Sequence, residues 1–136
     1  MWNRRLCMRD FKKLEVWRRG HQLTLNVYEV TRTFPREELY GLTSQMRRAS
    51  AAIPANVAEG CGRGSNADLA RFLQIAFGSA SELENHLFLA RDLSFLQPAD
   101  YEHLTGEVVE IQRMLASFIK SLKAFGNKTR KPDLDA

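Results

Sequence analysis

Apolar residues recur at steps of three and four along most of this chain, which is the period of one face of an α-helix. Four such runs stand out, separated by short stretches that hold glycine or proline. The first is expected from about Phe11 to Thr33, with Leu14, Trp17, His21, Leu25 and Tyr28 along one face. A histidine inside such a stripe reads as a hydrogen-bonded core or interface residue rather than a metal ligand. Phe34-Pro35 should end this helix, because the residue before a proline is pushed out of the helical region. Arg36 to Gly41 then forms a turn, and Thr43 offers a hydroxyl as N-cap of the second helix.

The second helix carries Leu42, Met46, Ala49, Ile53, Val57 and Gly60 in step, on a face made small by Ala51, Ala52, Ala55 and Ala58. Pro54 lies inside it, removing one backbone bond at a cost of about 3 kcal/mol unless the helix bends. The apolar step continues in phase across the proline, so one kinked helix is expected rather than two. Gly60-Cys61-Gly62-Arg63-Gly64 should stop it, leaving Cys61 in a glycine turn. Ser65-x-x-Asp68 resembles a capping box for the third helix.

That third helix, from Asn66 to about Leu96, would be about 45 Å long. Its seam of Leu69, Phe72, Ala76, Ser79, Leu83, His86, Ala90 and Leu93 alternates three and four, the pattern of helices crossing at a shallow angle. A second row, Leu73, Phe77, Ala80 and Leu87, and the flanking Ile75, Leu89 and Leu96 widen the apolar surface beyond one side. Gln97-Pro98 breaks the chain, with Pro98 suited to a first helical position. Tyr101, Leu104, Val108, Ile111, Leu115, Phe118, Leu122 and Phe125 then define a fourth helix that Gly126 should end. Since no segment sustains period-two alternation, the expected fold is all-α: an antiparallel up-down-up-down four-helix bundle kinked at Pro54. Residues 1–10 read as a basic N-terminal arm, 11–125 as the bundle, and 126–136 as a disordered tail.

Composition changes this picture little. A length of 136 residues suits one domain, and 26% charged with 44% hydrophobic residues is ordinary for a globular chain. The net charge of +4 is compatible with a polyanionic partner without requiring one. It is uneven: Arg4, Arg5, Arg9, Lys12, Lys13, Arg18 and Arg19 face only Asp10 and Glu15 near the start. Lys128, Arg130 and Lys131 stand against Asp133 and Asp135 near the end. Cys7 and Cys61 make no metal-type pair and no disulfide framework. The start lacks the apolar stretch of a signal peptide, and no run of 18 apolar residues spans a membrane. A cytoplasmic location is the default.

Candidate chemistry is sparse. Di-iron bundles need Glu-x-x-His pairs, but Glu82 leads to Asn85, Glu84 to Leu87, Glu107 to Glu110 and Glu110 to Arg113. Three histidines without helical ligand spacing argue against zinc. No metal and no cofactor are expected. Cys61 lacks a neighbouring histidine, and the Gly60-x-Gly62-x-Gly64 spacing lacks the preceding strand of a phosphate-binding loop. A bland helix-to-helix turn is the simpler reading, although Arg63 beside the start of the third helix is a modest anion site. Arg48, Asn56, Glu59 and Glu82 read as a structural polar network inside the bundle, of the kind that fixes register.

Several motifs recur in order: Phe11-Lys12-Lys13-Leu14-Glu15-Val16-Trp17, Phe34-Pro35-x-Glu37-Glu38-x-Tyr40-Gly41-Leu42, and Gln45-x-Arg47-Arg48-Ala49. Ile53-Pro54-Ala55-Asn56-Val57-Ala58-Glu59-Gly60 and Arg71-Phe72-Leu73-x-Ile75-Ala76-x-Gly78-Ser79 follow. On these the chain, over about residues 11 to 125, resembles the bacterial four-helix bundle proteins encoded in intervening sequences of 23S ribosomal RNA genes. The resemblance implies a left-handed antiparallel bundle, a ring-like homopentamer, and no established enzymatic activity. The accessory protein of diversity-generating retroelements is similar in architecture; there a basic pentamer binds a reverse transcriptase and nucleic acid.

The expected function is therefore a non-enzymatic, oligomeric bundle that binds RNA or DNA through backbone phosphates. Arg47, Arg48, Arg63 and Arg71, taken as a cluster about the second-to-third helix turn, would do this with Lys12, Lys13, Arg18 and Arg19. The alternative is a protein-interaction scaffold, such as an accessory subunit of a nucleic-acid enzyme.

Overall fold

A computed structural model describes residues 10–134, and their side chains as far as Gly126. The basic arm expected over residues 1–10 therefore falls, apart from Asp10, outside the described residues. Four α-helices carry the fold: α1 (Glu15–Thr31), α2 (Leu42–Gly62), α3 (Asn66–Asp92) and α4 (Pro98–Leu134). Two short 3-10 turns, Phe11–Lys13 and Arg36–Glu38, precede α1 and α2. No strand occurs among the described residues. α1 packs on α2 and α4, and α3 packs on α2 and α4, so the four helices close into a bundle around one core. That core is built from Leu23, Met46, Ile53, Leu73, Leu83, Leu87, Ile111 and Leu115, all fully buried.

The face of α1 differs from the expected one. Val16, Gly20, Leu23, Val27 and Thr31 turn inward. His21, Leu25 and Tyr28 are exposed, and Leu14 and Trp17 are only partly buried. The cause is the close approach of α1 to α2. A Cβ on Gly20 would lie 3.3 Å from Ile53 Cγ2 and 3.4 Å from Pro54 Cδ, so the row that faces α2 must be small where they cross. The bulkier row is left outside.

Contacts between these two helices run in opposite order along the chain: Gly20 meets Ile53 and Pro54, Thr24 meets Ser50, and Thr31 meets Arg47. One of them also explains how Pro54 is tolerated. Pro54 has no N–H to give the carbonyl four residues earlier, which belongs to Ser50. The Thr24 hydroxyl, from α1, donates to that Ser50 oxygen at 3.0 Å. The same hydroxyl lies 3.0 Å from the Gly20 carbonyl.

Four helix ends also differ. The N-cap of α2 is Gly41, and the Leu42 N–H is satisfied by Glu38 Oε1 at 3.0 Å. Thr43 is instead a buried residue within the helix. α2 runs on to Gly62, which draws Cys61 into its last turn, 1% exposed, rather than into a mobile glycine loop. α3 stops at Asp92, short of Leu96. There Ser94 adopts a left-handed φ of 63°, while Phe95 N–H reaches the Ala90 carbonyl and Ser94 N–H that of Arg91. This is a Schellman ending made with serine. α4 begins at Pro98 as expected and runs through Gly126, where an end was expected, to Leu134. A glycine inside a helix costs about 1 kcal/mol relative to alanine, which does not by itself end one.

Candidate nucleic-acid interface

The contact order of α1 and α2 places the start of α1 beside the second half of α2, and the Phe11–Lys13 turn packs on both helices. Lys12, Lys13, Arg18 and Arg19 therefore lie toward the end of the bundle that also holds the α2–α3 turn. Here Asp10 caps the 3-10 turn, accepting from Lys12 N–H at 3.0 Å. Arg18 donates to Glu15 Oε1 at 2.8 Å and to the Lys12 carbonyl at 3.1 Å. Arg19 Nε lies 3.4 Å from the other Glu15 oxygen. The Arg18 hydrogen bond and its charge, with a smaller contribution from Arg19, hold the Glu15 carboxyl below its usual range. Lys12 sits 3.9 Å from Asp10, and Lys13 is exposed.

The α2–α3 turn brings Arg63 and Arg71 onto one ring. Gly64 makes the turn at a φ of 90°, a left-handed conformation that favours glycine. Ser65 then caps α3 by accepting from Asp68 N–H at 3.1 Å, the capping contact its sequence spacing predicts. With Phe72 thus fixed nearly two turns into α3 and buried, Arg63 lies over its ring at 5.0 Å and Arg71 at 4.5 Å. Each arginine also faces a carboxylate of its own helix or turn: Arg63 Nε is 3.5 Å from Glu59 and Arg71 Nε 3.9 Å from Asp68. All four partners are about half exposed. Such pairs contribute roughly 0–1 kcal/mol in water, so the guanidiniums are readily shared with a phosphate.

Arg47 and Arg48 do not join this group. They lie in the first half of α2, about 24 Å along the helix axis from Arg63 at 1.5 Å per residue. Arg47 Nε donates to the Thr31 hydroxyl at 2.9 Å, and its guanidinium lies 4.7 Å from the Tyr28 ring centroid. Arg48 is exposed. The expected cluster is thus two basic surfaces near opposite ends of α2.

The polar network expected from Arg48, Asn56, Glu59 and Glu82 does not form. Asn56 donates to the Ala52 carbonyl of its own helix at 2.8 Å. Glu59 pairs with Arg63, and Glu82 meets His86 Nε2 at 3.2 Å, one turn on. Glu59 and Glu82 both point outward, where each finds an i,i+4 neighbour instead of a partner across the core. His21 is likewise outside, stacked on Trp17 with ring centroids 4.9 Å apart. Among the described residues no three of His, Cys, Asp and Glu are placed to hold a metal ion. No helix there is long and apolar enough to cross a membrane.

Sequence reasoning missed two participants. Phe72 read as seam, yet its ring carries both turn arginines. Tyr28 read as core, yet it is 45% exposed and carries Arg47. Arg71, next to Phe72 in the chain, was an available signal for the first; Arg47 lies on another helix, so no local signal marked Tyr28.

These features describe an all-helical bundle whose candidate chemistry lies on its outer surface. Comparison with known proteins makes the assignment narrower: the model of the 23S rRNA-intervening sequence protein family matches residues 12–117, and the chain belongs to that family. It is similar to a solved protein of unknown function from the S23 ribosomal protein family of Bacteroides thetaiotaomicron VPI-5482. The two share a TM-score of 0.72 and 25% identity, over 77% of this chain and 95% of that one. No curated protein matches the chain.

Proposed function

We propose that this protein is a non-enzymatic, homo-oligomeric bundle that binds RNA or DNA through backbone phosphates. The observation that carries the reading is the basic end of the bundle. Lys12, Lys13, Arg18, Arg19, Arg63 and Arg71 gather there against Asp10, Glu15, Glu59 and Asp68. The cations are exposed except for the half-buried Arg19, and their ion pairs are surface pairs that are weak in water, which suits phosphate contacts that position a strand without reading its sequence. Cys61, the one nucleophile considered for catalysis, is buried in the core, where a substrate cannot reach it.

Assembly would strengthen such binding. Ile75 and Leu89 on α3, with Leu93 at its end, share one side and are each 41–47% exposed, and exposed apolar residues of this kind support contact between copies. The family resemblance points to a ring of five. A net charge of +4 per chain would then sum to about +20, raising the local concentration of a polyanion.

The test is a mobility shift with RNA and with DNA across a salt series. Binding should be detectable at about 50 mM salt and fall steeply as salt rises. Absence of any shift at low salt refutes the reading. A scaffold for a nucleic-acid enzyme is the second reading, supported by the same exposed apolar residues. It is distinguished by a protein complex that survives nuclease and high salt.

A further inference from the structure

The second basic surface, around Arg47, is built differently from the first. Arg47 is held from behind: its Nε donates to Oγ1 of Thr31, a residue only 3% exposed, whose hydroxyl donates to the Val27 carbonyl at 2.8 Å. Fixing Nε leaves the two terminal nitrogens of the guanidinium as the remaining donors. No carboxylate pairs with Arg47 or Arg48 among the described residues. Glu29, the nearest acid along this part of α1, is taken by Arg32 at 3.5 Å. Beside this unneutralised, positioned fork lies Tyr28, with one face under Arg47 and 45% of the residue exposed.

A flat aromatic surface next to a fixed cation matches the two parts of a nucleotide: the ring stacks a base, and the guanidinium holds the adjoining phosphate. Bases in a duplex are stacked on each other and do not offer their faces, whereas those of a single strand do. We propose that Tyr28 and Arg47 form a nucleotide seat that makes this protein prefer single-stranded over duplex nucleic acid, with Thr31 as the positioning residue for Arg47. The seat rests on the phosphate-binding reading above, and adds to it the class of nucleic acid and a site away from the basic end.

The experiment measures fluorescence anisotropy with an unstructured single-stranded RNA and an RNA duplex of equal length, using the full chain. Wild type should bind the single strand more tightly. Tyr28→Leu, which keeps the apolar contact and removes the ring, should lower single-strand affinity by about fivefold or more while leaving the duplex unchanged. Tyr28→Phe should retain the preference. Arg47→Lys keeps the charge but loses the Thr31 contact and the stacked fork, and should also reduce single-strand binding. Equal affinity of wild type for the two RNAs, or an equal loss on both in Tyr28→Leu, overturns the seat alone. A change in solution mass of Tyr28→Leu overturns it as well, by showing that Tyr28 faces a second copy of the chain. Wild type that binds neither RNA refutes the phosphate-binding reading itself.

Discussion

Thr24→Val isolates the device by which α2 accepts a proline in its interior. Valine keeps the shape of threonine but removes the hydroxyl that donates to the Ser50 carbonyl at 3.0 Å. Ser50 is fully buried, and Pro54 supplies no N–H to its oxygen, so the acceptor would be left without a partner. An unsatisfied buried acceptor costs about 1–3 kcal/mol. With an unfolding entropy of about 2.1 cal/mol/K per residue over 136 residues, each kcal/mol lowers the Tm by about 3.5 °C. Thr24→Val should therefore melt about 4–10 °C below wild type. The decisive measurement is a double-mutant cycle with Pro54→Ala, followed by urea unfolding. Alanine restores an N–H four residues after Ser50, so in that background Thr24→Val should cost only about 0.5 kcal/mol. Pro54→Ala alone is ambiguous, because the proline ring also packs beside Gly20; the cycle cancels that contribution. Equal costs in both backgrounds would refute the reasoning and assign the hydroxyl to the Gly20 carbonyl, which is also 3.0 Å away.

Gly20→Val places branched carbons where even a Cβ would stand 3.3 Å from Ile53; it should separate α1 from α2 and cost about 1–3 kcal/mol by chemical denaturation. Ser94→Gly relieves a left-handed serine at φ 63° and should stabilise by about 0.4–1 kcal/mol in the same assay. Glu15→Gln removes a carboxylate from among Lys12, Lys13, Arg18 and Arg19, and should tighten RNA binding at low salt. Because Arg18 and Arg19 lower the Glu15 pKa in the folded chain from 4.5, its contribution to stability is present above 4.5 and lost as pH falls through the lowered value. Any stability gap between wild type and Glu15→Gln should therefore close in acid, and one that widens there contradicts the sign.

The candidate site was legible in its residue types and less so in its placement. Lys12, Lys13, Arg18 and Arg19 follow from a local excess of charge, and Arg63 and Arg71 from their nearness to the same turn. The split of Arg47 and Arg48 from Arg63 follows from helix length, since α2 runs unbroken between them. Asn56, Glu59 and Glu82 misled because a polar residue near an apolar row can lie on either side of its edge, and a shift of one position turns it through about 100°. Glu59 and Glu82 found neighbours one turn away on the surface instead.

Sequence alone determined the number of helices, the core row of α2 and most of those of α3 (Leu93 of its expected seam is instead exposed) and α4, the Ser65 cap and the start at Pro98. These depend on periodicity and on backbone rules that act within a few residues. Tertiary structure decided which of two apolar rows on α1 faces the core. Both rows have helical spacing; what selects between them is the close approach of Gly20 to Ile53 and Pro54, residues more than thirty positions away. The same approach brings Thr24 to the carbonyl that Pro54 leaves open and turns Tyr28 outward to meet Arg47. Close packing rewards the small row at that crossing and excludes the bulky one, so the face that folds the protein and the face offered to a partner were separated by a contact no local pattern contains.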